Sequence, residues 1–515
     1  MTIQHAIDSV AINGRMLFGW GWCFSEEAEH TEVQLKLEYC DGSVAWVKCQ
    51  AGITRVDVLA SYPAFRHSVR SGFRFSATLN SDLANARVSL YLMKHDGSWE
   101  NISLTGFIAV TGSGSLKNRE ARNKKAELRA FFETIPFNFS SFVLLVDHAM
   151  GGGANIASKR WSNEWRQAGS ALLSLRFNAS RLDFELVYAN ATENRSISVS
   201  DFKQLIPFLD KIGFSRIEVN SLVSYPDVVG MLRFIASQKE RKELVLRYYV
   251  HDFHCLCDSW SLLNQYEVFC ELPGLSICKK CMDSRSEVFP SSRKSESIVG
   301  WRSQWKKFLL ACDAIHFFSD SGRSLFRRVY KNSVPDGKLL VTPHETLQRL
   351  DNAGHPATGN RFIIGVVGNI SIAKGANILR DMARLILKEQ LPLKIVVIGN
   401  VETYEPSEAY FSTGSYAAEE LPGLLEEHDV GICFLPSICP ETFSFVTSEV
   451  MQLQYPLVCF NLGAQAERVG SYNQGFIISE PTAEAALSRI LQIANGRETD
   501  SLPKISQEYA GVVSA

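Results

Sequence analysis

Apolar and polar residues alternate over short runs toward the start of the chain. Residues 33–39 and 73–79 follow a period of two, and Asp41-Gly42 and Asp96-Gly97 come directly after such runs. This period places alternate side chains on opposite faces of a strand, and Asp-Gly is a frequent hairpin turn. The pattern predicts that residues 1–112 form an antiparallel β-sandwich.

Four tryptophans of this predicted sandwich allow two interpretations. Trp20, Trp22, Trp46 and Trp99 either fill the core or form a surface on which sugars stack. We favour the core, because a small sandwich needs large aromatic side chains to fill its interior.

From about residue 141 the pattern changes to buried strands that alternate with helices. Continuous apolar runs with helical spacers are typical of parallel sheets covered on both faces. Two such series follow one another, with Pro343 between them. We therefore expect an α/β fold with two Rossmann-like, doubly wound domains facing a cleft, at 141–345 and 346–495, and a tail at 496–515. The candidate strands are Phe142–Asp147, Leu182–Tyr188, Arg216–Val219, Leu244–Val250, Ala314–Phe318, Phe362–Val367, Lys394–Ile398, Val430–Leu435, Leu457–Phe460 and Gly475–Ile478.

Residues 113–140 connect the two kinds of pattern. The segment is prone to form a helix and is rich in basic residues, but it lacks a strong apolar face. It fits a solvated connector better than a helix lying on an anionic membrane surface. The basic residues are Lys117, Arg119, Arg122, Lys124, Lys125 and Arg129.

Composition excludes several classes of protein. The 515 residues carry a net charge of −2, which argues against a nucleic-acid partner bound through a large basic surface. No apolar run approaches the roughly 18 residues of a membrane-spanning helix, and the start lacks a secretory signal. We expect a cytoplasmic protein whose 12 cysteines are thiols or metal ligands.

The predicted strand Phe362–Val367 is followed by a candidate anion site. Gly368-Asn369 comes directly after the strand, and Lys374-Gly375 precedes a predicted helix. A glycine lets a ligand approach the backbone, and a helix N-terminus with a nearby lysine attracts an anion. An ordinary strand end beside a surface lysine gives the same short pattern.

A second motif follows the predicted strand Val430–Leu435. It comprises Pro436-Ser437, Pro440-Glu441-Thr442-Phe443-Ser444 and Glu449. Backbone amides at the start of a helix can hold a sugar or a phosphate. A carboxylate further along can accept two hydrogen bonds from a ribose diol.

These two motifs resemble the nucleotide-sugar domain of GT-B glycosyltransferases, in the retaining glycosyl transferases group 1 (glycogen-synthase-like, bacterial polysaccharide type). That group typically has Gly…Lys-Gly after its first strand and Pro-Ser…Pro-Glu-x-Phe-Gly-x₄-Glu later. The resemblance covers residues 140 to 495, and residues 1–112 are similar to an accessory β-domain found ahead of some of these enzymes.

The resemblance implies roles for the matching residues. Lys374 would contact the donor diphosphate, Glu441 would lie near the transferred sugar, and Glu449 would bind the ribose. Backbone amides of Thr442, Phe443 and Ser444 would touch the sugar and phosphate. Two residues depart from the pattern: Asn369 lies near a position where the family often has arginine, and Ser444 replaces the usual glycine.

The first α/β domain would then hold the acceptor. Gly151-Gly152-Gly153 follows its first strand and is interpreted as a flexible loop that contacts the diphosphate or the sugar, rather than a plain tight turn. His251-Asp252-Phe253 resembles a His-Asp-Tyr/Phe signature of the family, which implies that His251 binds the sugar or assists proton transfer. The alternative is a structural histidine. His344 resembles an interdomain hinge residue.

Five cysteines fall within 27 residues, in an insertion at 255–281. Cys257, Cys270, Cys278 and Cys281 are candidate ligands of a structural zinc ion, because four thiolates make a tetrahedral site and C-x₂-C has ligand spacing. Buried thiols and a disulfide are the other interpretations.

The function implied by the resemblance is metal-independent transfer of a sugar from a nucleoside-diphosphate sugar, with no cofactor for catalysis. The sugar would be a hexose or deoxyhexose, such as mannose or rhamnose. The acceptor would be a glycan or lipid-linked glycan in bacterial surface polysaccharide synthesis, such as lipopolysaccharide O-antigen, with peripheral contact at the inner face of the cell membrane. The alternative is a catalytically decayed transferase that acts as a carbohydrate-binding or scaffold protein, which Asn369 and Ser444 suggest.

Overall fold

The computed structural model divides into two compact units. Unit 1 comprises Met1–Trp260, Leu272–His316 and Arg327–Leu340, and unit 2 comprises Ser261–Glu271, Phe317–Phe326 and Val341–Ala515. The residues that the structure describes are 3–26, 30–79, 86–94, 96–104, 114–136, 139, 141–285, 289, 297–344 and 360–496.

Unit 1 begins with two four-stranded antiparallel sheets, in the orders β1-β2-β6-β5 and β4-β3-β7-β8. Their inner faces share one core, to which Leu17, Leu35, Phe73 and Leu90 contribute. This confirms the predicted β-rich N-terminal region. Its elements are β1 (Ile3–Asn13), β2 (Met16–Ser25), β3 (His30–Glu38), β4 (Val44–Lys48), β5 (Gln50–Ile53), α1 (Val56–Ser61), β6 (Gly72–Thr78), β7 (Arg87–Lys94) and β8 (Trp99–Ser103).

The prediction that the four tryptophans fill this core was wrong. Trp46 is 51% and Trp99 40% exposed, and Trp20 and Trp22 are only half-buried. The inward positions of β2 include Gly19 and Gly21, where an added Cβ would come within 2.4 Å of the Phe75 ring and 2.2 Å of the Ala6 carbonyl oxygen, respectively. Phe75 of β6 and the backbone of β1, which lie in the same sheet, leave no room for a side chain at these positions, and leucine and phenylalanine fill the rest of the core.

The rest of unit 1 is built on an eight-stranded sheet. Its order is β12-β11-β10-β9-β13-β14-β15-β16. Strands β10, β9, β13, β14 and β15 run parallel to one another, whereas β11 pairs antiparallel with β10 and β12 pairs antiparallel with β11. The elements are α2 (Gly114–Glu133), β9 (Phe142–His148), α3 (Gly152–Gln167), β10 (Ala171–Asn178), β11 (Asp183–Ala189), β12 (Asn194–Val199), α4 (Ile206–Leu209), β13 (Arg216–Val219), α5 (Val228–Arg241), β14 (Val245–Tyr249), α6 (Leu275–Ser284), α7 (Ile298–Ala311), β15 (Ala314–Phe317), α8 (Asp320–Tyr330) and β16 (Leu339–Val341).

Unit 2 is built on a six-stranded parallel sheet in the order β19-β18-β17-β20-β21-β22. Apolar clusters bury both of its faces, as the continuous apolar runs predicted. The elements are β17 (Asn360–Val367), α9 (Ala376–Lys388), β18 (Lys394–Ile398), β19 (Tyr410–Ser412), α10 (Leu421–Glu427), β20 (Val430–Leu435), α11 (Phe445–Gln452), β21 (Leu457–Phe460), α12 (Gly463–Val469), β22 (Gly475–Ile478) and α13 (Ala483–Ala494). Together the two sheets confirm the predicted α/β class.

The connector is less solvated than we expected. Leu128 and Phe132, near the end of α2, are buried, and the Phe132 ring stacks on Phe208 at 4.7 Å between centroids. The side chains of Lys117, Arg119 and Arg122 lie outside the described residues, as does the predicted tail beyond residue 496. Among the described helices, none combines the length and apolar character that crossing a lipid bilayer requires.

Two glycines of unit 2 should respond oppositely to alanine. A Cβ at Gly475 would lie 1.9 Å from the Val469 carbonyl oxygen, so Gly475→Ala should cost about 1–3 kcal/mol of unfolding free energy. Gly423 lies in α10 with nothing within 4 Å of an added Cβ, so Gly423→Ala should gain about 0.5–1 kcal/mol. Urea denaturation of both variants tests the pair, and a stable Gly475→Ala protein would contradict this packing.

Candidate functional site

The sheet of unit 2 changes direction between β17 and β20. These two strands are adjacent, but the chain runs from β17 toward β18 on one side and from β20 toward β21 on the other. Loops that leave such a pair turn apart and open a crevice at the carboxyl ends of the strands. Both motifs singled out in the sequence follow these two strands.

Glycines bring the loops of this crevice into backbone contact. A Cβ at Gly375 would lie 2.1 Å from the carbonyl oxygen of Pro436, and a Cβ at Gly399 would lie 2.1 Å from that of Gly368. All three glycines have positive φ, at +89°, +140° and +110° for Gly375, Gly399 and Gly368. The loops after β17, β18 and β20 therefore form one surface that tolerates no larger residue at Gly375 or Gly399.

Lys374 lies on this surface beside the start of α9. The Ile438 amide donates to the Ala373 carbonyl at 3.1 Å, which ties the lysine loop to the loop after β20. Burial is the main cause that raises the pKa of the Cys439 thiol to about 12. The Glu441 charge raises this pKa as well, and the Lys374 charge lowers it, so both side chains lie near the thiol. Lys374 itself is exposed, and no described residue forms an ion pair with it. The structure thus brings Lys374 and Glu441 to the same thiol and leaves the ammonium group accessible.

Glu441 is held on two sides. Its carboxylate accepts a hydrogen bond from the Ser437 hydroxyl. Its backbone amide donates to Gln465 Oε1 at 3.1 Å, and the Gln465 side chain in turn donates to the Cys439 carbonyl at 3.1 Å. Gln465 lies on α12, so this helix fixes the loop that carries the glutamate.

Ser444, noted above as a departure from the family pattern, caps helix α11. Its hydroxyl accepts a hydrogen bond from the Thr447 amide at 3.3 Å. Arg468 supports the same turn, because its guanidinium donates to the Ser444 carbonyl at 2.8 Å and to Ser448 Oγ at 2.7 Å, and lies 4.8 Å from the centre of the Phe443 ring. Thr442 and Ser444 are buried, so the segment between Glu441 and α11 presents mainly backbone.

Glu449 lies in the second turn of α11, as predicted. Burial raises the pKa of its carboxyl group. Burial and the Glu449 charge together raise the pKa of Tyr416 to about 12, so these two side chains lie near each other. Tyr416 follows Gly414-Ser415 in the loop after β19. In the sheet, β18 and β17 lie between β19 and β20, the strand that precedes α11.

Asn369 belongs to a network of amides. Asn400 Nδ2 donates to Asn369 Oδ1 and to Ser415 Oγ, each at 3.0 Å. The loops after β17, β18 and β19 are thereby linked through polar side chains that remain exposed. Asn400, Gln465 and Arg468 were not predicted as site residues, because no local motif in the sequence marks them.

The predicted residues of unit 1 lie at the carboxyl ends of its parallel strands. Gly152 and Gly153 are the first residues of α3 rather than a free loop, and Gly151 precedes the helix at φ +80°. Asp147, at the end of β9, is fully buried and accepts hydrogen bonds from Asn155, Ser158, Asn220 and the His148 amide at 2.6–2.9 Å. This cluster fixes the turn that begins α3.

His251 follows β14 and packs beside two aromatic rings. The centroids of Trp161 and Tyr249 lie 6.0 and 6.4 Å from that of the His251 ring. Its neighbour Asp252 accepts hydrogen bonds from Ser221 Oγ at 2.8 Å and the His254 amide at 2.9 Å, and burial raises the pKa of its carboxyl group. Asp252 is therefore a second titratable group at this edge of the sheet.

The described residues do not support the zinc prediction. They contain no group of three or more histidine, cysteine, aspartate or glutamate side chains able to hold a metal ion. Cys257 donates instead to Asp258 Oδ1 at 3.6 Å, and Cys278 donates to the Pro273 carbonyl at 3.5 Å. Cys270 and Cys281 likewise form no disulfide, and the same is true of all twelve cysteines of the chain.

Glu449 should lower stability at neutral pH. The pKa of this carboxyl group is higher in the folded than in the unfolded protein. Below the unfolded-state pKa the group is protonated in both states and costs no stability. As the pH rises toward the folded-state pKa and beyond, ionisation favours the unfolded protein and lowers the free energy of unfolding. Glu449→Gln should therefore raise the melting temperature at pH 7, with the difference shrinking below about pH 4. Melting scans against pH check this, with exposed Glu408→Gln as control. Equal melting temperatures of Glu449→Gln and wild type at pH 7 would contradict it.

Several solved structures are similar to this chain at low identity. HepE from Anabaena in complex with UDP is 12% identical, with 70% of this chain and 91% of that chain covered and a TM-score of 0.44. The catalytic domain of starch synthase IV from Arabidopsis thaliana, bound to ADP and acarbose, is 9% identical, with 70% of this chain and 92% of that chain covered and a TM-score of 0.41. The pneumococcal O-GlcNAc transferase GtfA in complex with UDP and GlcNAc is 11% identical, with 63% of this chain and 60% of that chain covered and a TM-score of 0.39. No protein with a curated function matches significantly.

A family model matches the part of the chain that contains the crevice. Residues 348–508 fit the model described as glycosyl transferases group 1. The matched range includes the segments that follow β17 and β20, from Gly368 to Glu449. The segment that carries Gly368, Lys374, Glu441 and Glu449 is therefore similar to the glycosyl transferases group 1 family.

Proposed function

We propose that the protein is a glycosyltransferase that uses a nucleoside-diphosphate sugar. The main support for the proposal is that the residues matched by the family model include the crevice between β17 and β20. Lys374, Glu441 and the start of α11 lie there on loops held together by backbone contact. A crevice of this kind suits a ligand with a charged diphosphate in its middle and polar groups at both ends.

Lys374 is proposed to stabilise the departing diphosphate. When the bond between sugar C1 and the diphosphate oxygen breaks, both bonding electrons leave with that oxygen and negative charge grows on the phosphates. A fixed ammonium group and the amides before α11 oppose this charge without a divalent metal. The acceptor oxygen forms the new bond to C1 on the same face, and its proton passes to the departing phosphate oxygen. Neither Glu441 nor Glu449 is assigned as a nucleophile.

The two glutamates are proposed to bind opposite ends of the donor. Glu441, positioned by Ser437 and Gln465, would accept hydrogen bonds from the transferred sugar. Glu449, next to Tyr416, would accept hydrogen bonds from the ribose hydroxyls. Gly368, Asn369 and the amides of 442–444 would line the space between them.

The acceptor side is assigned to unit 1. His251 and Asp252 follow β14 at the edge of the sheet where doubly wound folds bind ligands, and Gly152 and Gly153 begin α3 at the same edge. We infer a glycan or lipid-linked glycan acceptor and a role in surface polysaccharide synthesis, with a hexosyl or deoxyhexosyl donor. A lipid-linked acceptor would bring peripheral contact with a membrane.

The alternative of a decayed transferase has lost part of its support. Ser444 was one of its two reasons, and this residue now has a capping role at α11. Asn369 was the other, and it is held by Asn400 in an exposed network beside the crevice. Both residues therefore have places in the site that do not require loss of activity.

Nucleotide binding gives the most direct test of donor recognition. A thermal-shift screen with UDP, GDP, dTDP, CMP and ADP should find at least one that stabilises the protein. A ligand at 100 times its Kd adds about 2.7 kcal/mol to the unfolding free energy. No response to any nucleotide would favour the scaffold alternative.

Removal of the proposed diphosphate contact should abolish most turnover. Lys374→Ala is expected to lower kcat by about 10²-fold or more, because one preorganised charge at a developing anion has this order of effect. Product formation from mixed nucleotide sugars, followed by mass spectrometry, measures it. Lys388→Ala is the matched control, since Lys388 ends α9 with its side chain exposed. Near-wild-type turnover in Lys374→Ala would refute the assignment.

A further inference from the structure

The outer face of the sheet β4-β3-β7-β8 carries a row of aromatic rings, formed by Trp46, Tyr91 and Trp99. The centroids of Trp46 and Tyr91 are 4.9 Å apart, and those of Tyr91 and Trp99 are 6.5 Å apart. Trp46 is 51% and Trp99 40% exposed. We call these three residues the aromatic row.

The aromatic row departs from the usual pattern of a half-solvated sheet. The inward residues of the same strands, such as Leu35 and Leu90, are fully buried, so the alternate positions face out. Such positions are usually polar in an antiparallel sheet. Three rings in contact there form exposed apolar surface of the kind that marks a binding site.

Polar residues lie beside the rings at matching positions of the sheet. In the strand register Tyr91 pairs with Gln34 on one side and with Asn101 on the other, so amide groups flank the central ring. A sugar ring presents both C–H surface, which packs on an aromatic face, and hydroxyl groups, which bond to amides. Rings with adjacent neutral donors and acceptors match both features.

The charges on this face favour a neutral ligand. Lys36 Nζ lies 5.8 Å from the Trp46 centroid and 6.0 Å from that of Tyr91, and it is paired with Glu38 at 2.6 Å. Lys48 is paired with Glu32 at 3.2 Å. A nucleic acid or an anionic membrane would have to displace these glutamates, whereas a neutral glycan leaves both pairs intact.

We propose that the aromatic row binds a neutral glycan chain. Three rings in sequence suit several consecutive sugar units better than one monosaccharide. The proposed site lies on the β-sandwich, uses none of the residues assigned to donor or acceptor binding, and does not depend on transfer activity. It gives the N-terminal region a carbohydrate-binding function.

Affinity electrophoresis of the full-length protein tests the proposal. Native gels would contain laminarin, glucomannan, dextran, soluble starch or hydroxyethylcellulose, and an array of neutral oligosaccharides would extend the range. At least one glycan should retard the wild-type protein. Trp46→Ala and Trp99→Ala should each weaken that binding about tenfold, and the double variant should abolish retardation. Trp46→Phe, which keeps a ring, should bind better than Trp46→Ala.

Three control variants isolate the aromatic row. Val44→Ala removes another exposed apolar side chain from the same face of β4, and Phe411→Ala removes an exposed ring from unit 2. Both should bind glycan like the wild type. Lys374→Ala should also keep glycan binding although it loses turnover, so failure of the donor assignment and failure of this proposal give different results.

Three outcomes would overturn the proposal. The first is a wild-type protein that no neutral glycan retards or captures. The second is unchanged glycan binding in the double variant with a normal circular dichroism spectrum. The third is that the tryptophan substitutions abolish dimer formation, measured by light scattering, or binding to vesicles of anionic phospholipid, while glycan binding stays unchanged.

Discussion

Backbone contact between loops is the constraint on which the candidate site of unit 2 depends. At Gly375 and Gly399 there is no room for even one additional carbon, since it would lie 2.1 Å from a carbonyl oxygen of a neighbouring loop. Segments that are far apart in sequence are thereby fixed against each other through their backbones. This leaves the Lys374 ammonium group accessible to a ligand, where an ion pair holding the same loops would have consumed it.

The burial of charge separates candidate binding groups from structural ones. Burial lowers the pKa of Arg468 and raises that of Glu449, so both groups are kept near the start of α11 against a desolvation cost. Such costs are typical of functional sites. Asp147 of unit 1 is fully buried but accepts four hydrogen bonds, which offset its desolvation. Its role is therefore to hold the chain, whereas Glu449 is proposed to bind the ribose.

Sequence patterns predicted the strands better than they predicted their directions or partners. Apolar runs identified β9, β11, β13, β14, β15 and every strand of the second sheet except β19. They missed β10, β12 and β16, and gave no sign that β11 would run antiparallel, because strand direction depends on the connections and not on the strand itself. Position after a strand and the family resemblance pointed to Lys374, Glu441 and Glu449, which lie on the segments that follow β17 and β20. These two signals could not identify Gln465 and Arg468, because α12 brings them to the site only through tertiary packing.

The tryptophans show what a period of two leaves undetermined. Alternation assigns residues to two faces but does not say which face is inward, and size alone pointed to the core. Gly19 and Gly21 occupy inward positions of β2, where Phe75 and the β1 backbone leave no room for a side chain, so Trp20 and Trp22 lie on the other face of the strand. The exposed rings then forgo roughly 25 cal/mol for each Å² of apolar surface left in water. A sheet that keeps Trp46 and Trp99 exposed despite this loss is better explained by what it binds than by how it folds.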